Sequence, residues 1–127
     1  MNSDSLFQPI TLGTLELPNR LIMTTVKLGY GTKKGQVTER HVAFCVHRAE
    51  RSVGPITTEP LYIRHNGREL PTQLGIHDDR LADGPRRLVE AVHVAGGRIM
   101  AQLIGDCVEP REVLDAVYEG FEVGRKL

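Results

Sequence analysis

Three short, β-prone apolar runs constrain this chain more than anything else in it: Arg20–Val26, Val53–Pro60 and Arg98–Ile104. They recur at intervals on the order of the roughly 30 residues that one strand–helix–strand crossover takes. The first run, Arg-Leu-Ile-Met-Thr-Thr-Val, lacks the alternation of a strand with one wet face, which suits a strand buried on both sides of a parallel sheet. Between the runs lie stretches with helical spacing. Thr38 sets up a helix start, and Val42, Cys45, Val46 and Ala49 recur on one face through to about Arg51. Leu81, Leu88, Val89 and Val92 mark a second face, interrupted at Gly84-Pro85 and ended by Gly96-Gly97. Strand, helix, strand, helix, strand is the order of a parallel α/β layer.

Outside this alternation the chain carries three kinds of segment. Residues 6–17 alternate apolar and polar around Gly13-Thr14, as a half-buried hairpin does. Two polar loops follow, Gly29–Gly35 and about Arg64 to Asp79. From Gly105 to Leu127 the character changes, with Pro110 at a helix N1 position and Val113, Leu114, Val117 and Phe121 on one face, which predicts one amphipathic helix.

Composition excludes several function classes. With 16 Lys+Arg against 16 Asp+Glu in 127 residues, the chain has no basic excess with which to neutralise phosphates, so nucleic acid is not an expected partner. No apolar run approaches the ~18 residues of a membrane span. Met1-Asn2-Ser3-Asp4-Ser5 is not the layout of a secretory signal, and a cytoplasmic location is expected. The two cysteines, Cys45 and Cys107, are too few for a disulfide framework or a four-ligand zinc site and read as free thiols.

No self-sufficient catalytic motif is present: neither Gly-x-Ser-x-Gly, nor a Walker loop, nor His-Glu-x-x-His, nor Gly-x-Gly-x-x-Gly. The Gly29–Gly35 loop, with Lys33 and Lys34, has the composition of a phosphate cradle and equally of an ordinary solvated loop. His41 and Cys45, four apart on one helix, have metal-ligand spacing but no third ligand nearby, so a buried inert thiol is the better reading. His47, His65, His77 and His93 have no evident carboxylate or thiol partner and read as structural or surface residues. In parallel α/β folds ligands gather at the carboxyl ends of the strands. Those ends are Thr25-Val26-Lys27, Thr58-Glu59-Pro60 and Gln102-Leu103. Gln102 is the sharpest of these, because an amide closing an apolar strand must find hydrogen bonds or cost of order 1–3 kcal/mol.

At these strand ends the first 104 residues resemble the amino-terminal part of the old yellow enzyme family of NADH:flavin oxidoreductases. The resemblance is carried by Leu6-Phe7-Gln8-Pro9-Ile10, Leu17-Pro18-Asn19-Arg20-Leu21-Ile22-Met23, Val37-Thr38-Glu39-Arg40-His41 and Arg48-Ala49-Glu50-Arg51. It continues through Thr58-Glu59-Pro60, Leu88-Val89-Glu90-Ala91-Val92-His93, Gly96-Gly97-Arg98-Ile99 and Ala101-Gln102-Leu103. The stretch from Leu103 to Arg111, with Ala116 and Gly120, is similar instead to the carboxyl-terminal FAD-binding end of larger, 2,4-dienoyl-CoA reductase-like members. The resemblance thus implies a domain over 1–104, the start of an FMN-binding barrel, and a helix over 105–127, with the middle of the family's chain missing between them. The implied fold is α/β: a partial (β/α)8 barrel with an amino-terminal hairpin, about three parallel strands and two helices, then a carboxyl-terminal helix.

What the resemblance implies for the site is a set of FMN contacts at Thr25, Val26, Lys27, Pro60 and Gln102. Gln102 coincides with a family glutamine that hydrogen-bonds the flavin ring. Thr25, Val26 and especially Lys27 depart from the family's residues, and a lysine there would favour a reduced, anionic flavin by its charge. Asp106 matches an aspartate that touches FAD in the larger members, but without its glycine-rich partner motif capping the last helix is its expected role. After Leu103 the chain diverges from the family's His-Ala-Gly-Arg. The substrate histidine pair, FMN-phosphate loops, iron–sulfur cysteines and dinucleotide folds have no counterpart, so no catalytic or metal-binding residue is assigned. FAD and the iron–sulfur cluster are expected only in full-length relatives. The implied activity is FMN-dependent transfer of hydride from NAD(P)H to an activated alkene, with this chain inactive alone because a closed barrel needs about 250 residues and eight strands. The alternative is a non-catalytic, internally deleted fragment, or a partner that docks on a full-length relative or on its own copies through an exposed strand edge.

Overall fold

A computed structural model of the chain describes residues 3–102. The expected carboxyl-terminal helix over 105–127 and the 104/105 boundary lie outside the described residues. The chain opens with a 3-10 turn, Ser3–Phe7, and a hairpin of β1 (Ile10–Leu12) and β2 (Leu15–Leu17), paired Ile10 with Leu17 and Leu12 with Leu15. Gly13, at φ +60, takes the first position of the two-residue turn, where a positive φ matches the twist of the flanking strands. The hairpin is therefore shorter than the sequence alternation predicts, because Leu6 and Phe7 belong to the 3-10 turn.

The parallel layer is real and narrow. β3 (Pro55–Thr57) pairs in parallel with β4 (Arg98–Met100), Ile56 opposite Ile99. The expected first strand, Arg20–Val26, is reduced to a single parallel bridge between Met23 and Ile56. There Met23 donates its N–H to the Pro55 carbonyl at 3.0 Å and accepts from the Thr57 N–H at 2.9 Å. Nor is this run buried on both sides: Leu21, Met23 and Thr25 are half-buried, while Ile22, Thr24 and Val26 are exposed. Among the described residues this run has a strand neighbour on one side only, at a single bridge. The third run is likewise shorter than expected, its ladder ending where the Thr58 N–H meets the Met100 carbonyl at 2.9 Å.

Both helices form where the periodicity places them. α1 (Glu39–Glu50) starts at Thr38, whose hydroxyl accepts from the His41 N–H at 3.4 Å. Its fully buried positions are His41, Cys45 and Ala49, one stripe at i, i+4, i+8, so the inward face is rotated from the expected one to take in a histidine. α2 (Asp83–Val94) buries Leu88 and Val92. Gly84 and Pro85 do not interrupt it. They lie in its first turn, where a proline's missing N–H leaves no intrahelical bond unmade. Leu81 belongs to a 3-10 turn, Asp79–Leu81, ahead of the helix.

The core joins one layer of helix to one of sheet: Cys45 and Ala49 from α1, Leu88 and Val92 from α2, Ile56 from β3, and Val37, Leu61 and Leu74 from the loops. Gly97 lets the turn into β4 approach α1, since a Cβ there would lie 2.6 Å from that of Ala49. Among the described residues no helix is long and apolar enough to cross a membrane.

Candidate functional site

The parallel strands direct three chain ends to one side of the layer, and two sequence-predicted site residues meet there. Thr25, just past the Met23 bridge, donates its hydroxyl hydrogen to the Gln102 side-chain carbonyl. Seventy-seven residues of chain separate them, and the parallel register of Met23, β3 and β4 closes that distance. Gln102 thus has the polar partner that an amide at the end of an apolar strand requires.

Lys27 and Pro60 belong to a second, connected cluster. Lys27 Nζ forms an ion pair with Glu69 Oε2 at 2.5 Å, both side chains about half exposed. The Glu69 N–H donates to Gln73 Oε1 at 2.8 Å, and Gln73 Nε2 donates to the Pro60 carbonyl at 2.8 Å. Val26, between the two clusters, is exposed and apolar. The five predicted positions therefore form a hydroxyl–amide pair, a paired cation, a strand-end carbonyl and an apolar side chain.

Glu59 lies at a strand end named from the sequence, where no role is assigned to it, and Gln73 is not singled out there at all. Glu59 is 1% exposed, and its carboxylate accepts from the N–H groups of Leu28 at 2.9 Å, Gly29 at 3.0 Å and Leu74 at 3.1 Å. The signal was present: a glutamate ending an apolar strand demands partners at least as strongly as Gln102 does. Gln73, 3% exposed in the middle of a polar loop, gave no such signal.

The same bonds bear on the two readings of the Gly29–Gly35 loop. Several of its amides are committed within the chain: Gly31 donates to the Thr72 carbonyl at 2.9 Å, Gly35 to the Thr32 carbonyl at 3.0 Å, and Lys34 to the Thr32 hydroxyl at 3.2 Å. The anion at its entrance is the chain's own Glu59, which favours the ordinary-loop reading over a phosphate cradle.

Cys45 is buried, as the thiol reading expects, and His41 is buried as well, which that reading does not include. Burial, opposed by the Arg48 charge, pushes the Cys45 thiol up to about 11. His41 Nδ1 lies 3.9 Å from Glu59 Oε1, too far for a hydrogen bond, and burial holds its pKa below the ordinary 6.5 against the raising pull of the carboxylate. Among the described residues no three His, Cys, Asp or Glu side chains gather as a metal site does. Of the other histidines, His47 and His93 lie exposed on the helices, while His77 stacks on Tyr62 at a ring-centroid distance of 4.8 Å and His65 lies tilted to the same ring at 6.0 Å.

Comparison with known proteins assigns this architecture. The sequence pattern of the NADH:flavin oxidoreductase / NADH oxidase family matches residues 5–117. The chain belongs to that family. A metal reductase of Desulforamulus reducens is 43% identical over 99 residues, which are 77% of this chain and 14% of that protein. The NADPH dehydrogenase of Bacillus subtilis is 34% identical over 99 residues, 77% of this chain and 29% of that one. Among solved structures, the old yellow enzyme homologue of Zymomonas mobilis superposes with a TM-score of 0.72 at 35% identity, covering 80% of this chain and 28% of that one. Morphinone reductase in complex with tetrahydroNAD gives 0.72 at 35% identity, covering 81% and 28%. The chain thus spans 14–29% of the length of these relatives, and its narrow parallel layer is the corresponding part of an old yellow enzyme barrel.

FMN is the cofactor that goes with this family, and the strand ends carry groups of the chemistry that its ring end would require. An isoalloxazine offers in-plane carbonyl and N–H edges and an apolar face. The Gln102 amide and the Thr25 hydroxyl are complementary to the edges, Val26 to the face, and Lys27 to a negative charge on the reduced ring.

Proposed function

We propose that this chain holds the ring end of FMN at its strand ends, as part of an NAD(P)H-dependent oxidoreductase of the ene-reductase type. The observation that carries this reading is the Thr25–Gln102 hydrogen bond, which joins two sequence-predicted ring contacts from opposite ends of the layer. When bound, FMN supplies the chemistry, accepting hydride from a nicotinamide and passing it to an activated alkene. The chain's residues supply position and charge. Gln102 and Thr25 orient the ring edge; Lys27, steadied by Glu69, offsets negative charge; the Pro60 carbonyl, fixed by Gln73, borders the site.

Turnover by the chain alone is not part of the proposal. A closed (β/α)8 barrel takes eight strands, and the described residues provide two paired parallel strands with the single Met23 bridge beside them. Partial contacts give partial affinity, because each lost contact removes free energy while the cost of immobilising the ligand stays the same. The narrow layer also favours a second reading, a non-catalytic segment that an internal deletion left from a larger family member and that works only against other barrel strands. On that reading residues 105–127 derive from the FAD-binding end that they resemble.

Visible absorption separates the two. The full chain is incubated with FMN, freed of unbound flavin and scanned beside Gln102→Ala. Retained flavin with a shifted band, weakened about tenfold by the substitution, is the expected result. A colourless wild-type chain overturns flavin binding and leaves the non-catalytic reading.

A further inference from the structure

The Glu59 carboxylate occupies an unusual place for a buried charge. It sits one residue beyond the last rung of the β3–β4 ladder and binds two loops at once: Oε2 takes the N–H groups of Leu28 and Gly29, and Oε1 takes that of Leu74. Three charge-assisted bonds offset the desolvation that would otherwise expel such a group from the interior. The first loop begins immediately after Lys27, so the carboxylate fixes the point at which the backbone turns away from Thr25–Lys27. The second loop is tied back to the first independently, by the Thr72 hydroxyl donating to the Gly29 carbonyl at 2.8 Å and the Gly31 N–H donating to the Thr72 carbonyl at 2.9 Å. It also carries Glu69, the partner of Lys27.

We propose that Glu59 is a positioning residue for flavin: by clamping the amides of Leu28, Gly29 and Leu74 it sets where Lys27 and Thr25 stand against the ring. The inference rests on the functional reading above and adds a residue that does not itself touch the cofactor. The chemistry of the carboxylate is specific to this task. Glutamine presents an NH2 group to one of the two loops and must release its amide donors. Aspartate, one methylene shorter, cannot reach both loops from the same backbone position. Glu59 also takes up the amides of Leu28 and Gly29 at the entrance of the glycine-rich loop, which are therefore not free for a phosphate.

The test uses the full chain and two variants. Glu59→Gln breaks the clamp at the carboxylate. Thr72→Val loosens the same loop pair from the other side and leaves the Glu59 carboxylate with its three donors, and it decides the matter if Glu59→Gln does not fold. Amide hydrogen exchange is measured without flavin, and FMN affinity and the visible band are measured with it. In the wild type the amides of Leu28, Gly29 and Leu74 are expected to exchange slowly. Glu59→Gln should speed the amides of at least one of the two loops, Leu28 and Gly29 or Leu74, about tenfold or more while α1 and α2 stay protected, and should weaken FMN binding by a similar factor with a changed band. Thr72→Val should move the Leu28 and Gly29 amides and the flavin band in the same direction by less. Unchanged exchange at these amides overturns the clamp. A wild type that binds FMN, with affinity and band unmoved in both variants, overturns positioning and leaves a purely structural carboxylate. A wild type that takes up no FMN overturns the functional reading instead, which distinguishes the two failures.

Discussion

At the level of single residues, His41 is the least comfortable group among those described. It is fully buried in the stripe that α1 turns toward the sheet, and neither ring nitrogen has a hydrogen-bond partner among the protein atoms. A neutral imidazole so placed leaves a donor and an acceptor unmet, at a cost of order 1–3 kcal/mol each. Burial lowers its pKa below 6.5, and the attraction of Glu59 only partly opposes this. The unfolded chain therefore binds the His41 proton first as pH falls. The stability contributed by keeping the ring neutral is complete above the unfolded value and is lost progressively as pH drops through about 6.5 toward the lower folded value. Urea unfolding at pH 7.5, 6.5 and 5.5 should accordingly show declining stability, and His41→Leu should remove the part of that slope due to this residue while leaving stability at pH 7.5 equal or higher. A slope that survives the substitution undiminished assigns it to other groups. His41 also shows what was hidden in the sequence. Its spacing from Cys45 was legible, but which side of α1 faces inward depends on the contacts of Ile56, Leu88 and Val92, and these are set by the tertiary fold.

At the level of elements, the parallel layer depends on backbones that approach closely where the expected strands run short. Gly54, just ahead of β3, is the tightest such point: a Cβ there would lie 2.1 Å from the Leu21 carbonyl oxygen and 2.9 Å from Asn19 Oδ1. Asn19 is itself buried, accepting from the Leu21 N–H at 3.0 Å and donating to the Ser52 carbonyl, so neither obstacle can move without breaking this knot. Gly54→Ala should therefore push Leu21 away from β3 and break the single Met23 bridge, costing about 1–3 kcal/mol or more in a denaturant melt. An alanine variant as stable as the wild type would mean that this edge of the layer contributes little. The order of elements, the Thr38 cap and the helical stretches were legible because each rests on local chemistry. Strand length was not, because an edge run keeps only the rungs that a neighbour supplies, and Arg20–Val26 has one neighbour among the described residues. The site divided in the same way. Thr25 and Gln102 followed from the logic of strand ends, whereas the clamp by Glu59 and the Gln73 bridge arise where loops distant in sequence meet.

At the level of the whole molecule, the layer carries apolar surface of the kind that a closed barrel covers. Ile22, Val26 and Met100 are each more than two-fifths exposed on or beside the parallel rungs, and β4 pairs only with β3 among the described residues. Parallel strands are rarely stable with a bare face, and an unpaired edge is a template for another chain. Val94, at the end of α2, is 91% exposed and adds to the same tendency. The chain should therefore self-associate. Sedimentation velocity over a range of concentrations should show species larger than a monomer that dissociate on dilution. Met100→Lys places a charge on the β4 edge, where burial against a second chain would strip its hydration, and should shift the distribution toward monomer. Flavin retention links this scale to the site: if association completes the surroundings of Gln102 and Lys27, FMN bound per chain should rise with protein concentration and fall in Met100→Lys. A wild type that is monomeric throughout, with flavin retention independent of concentration, would mean that one chain supplies the whole ring site.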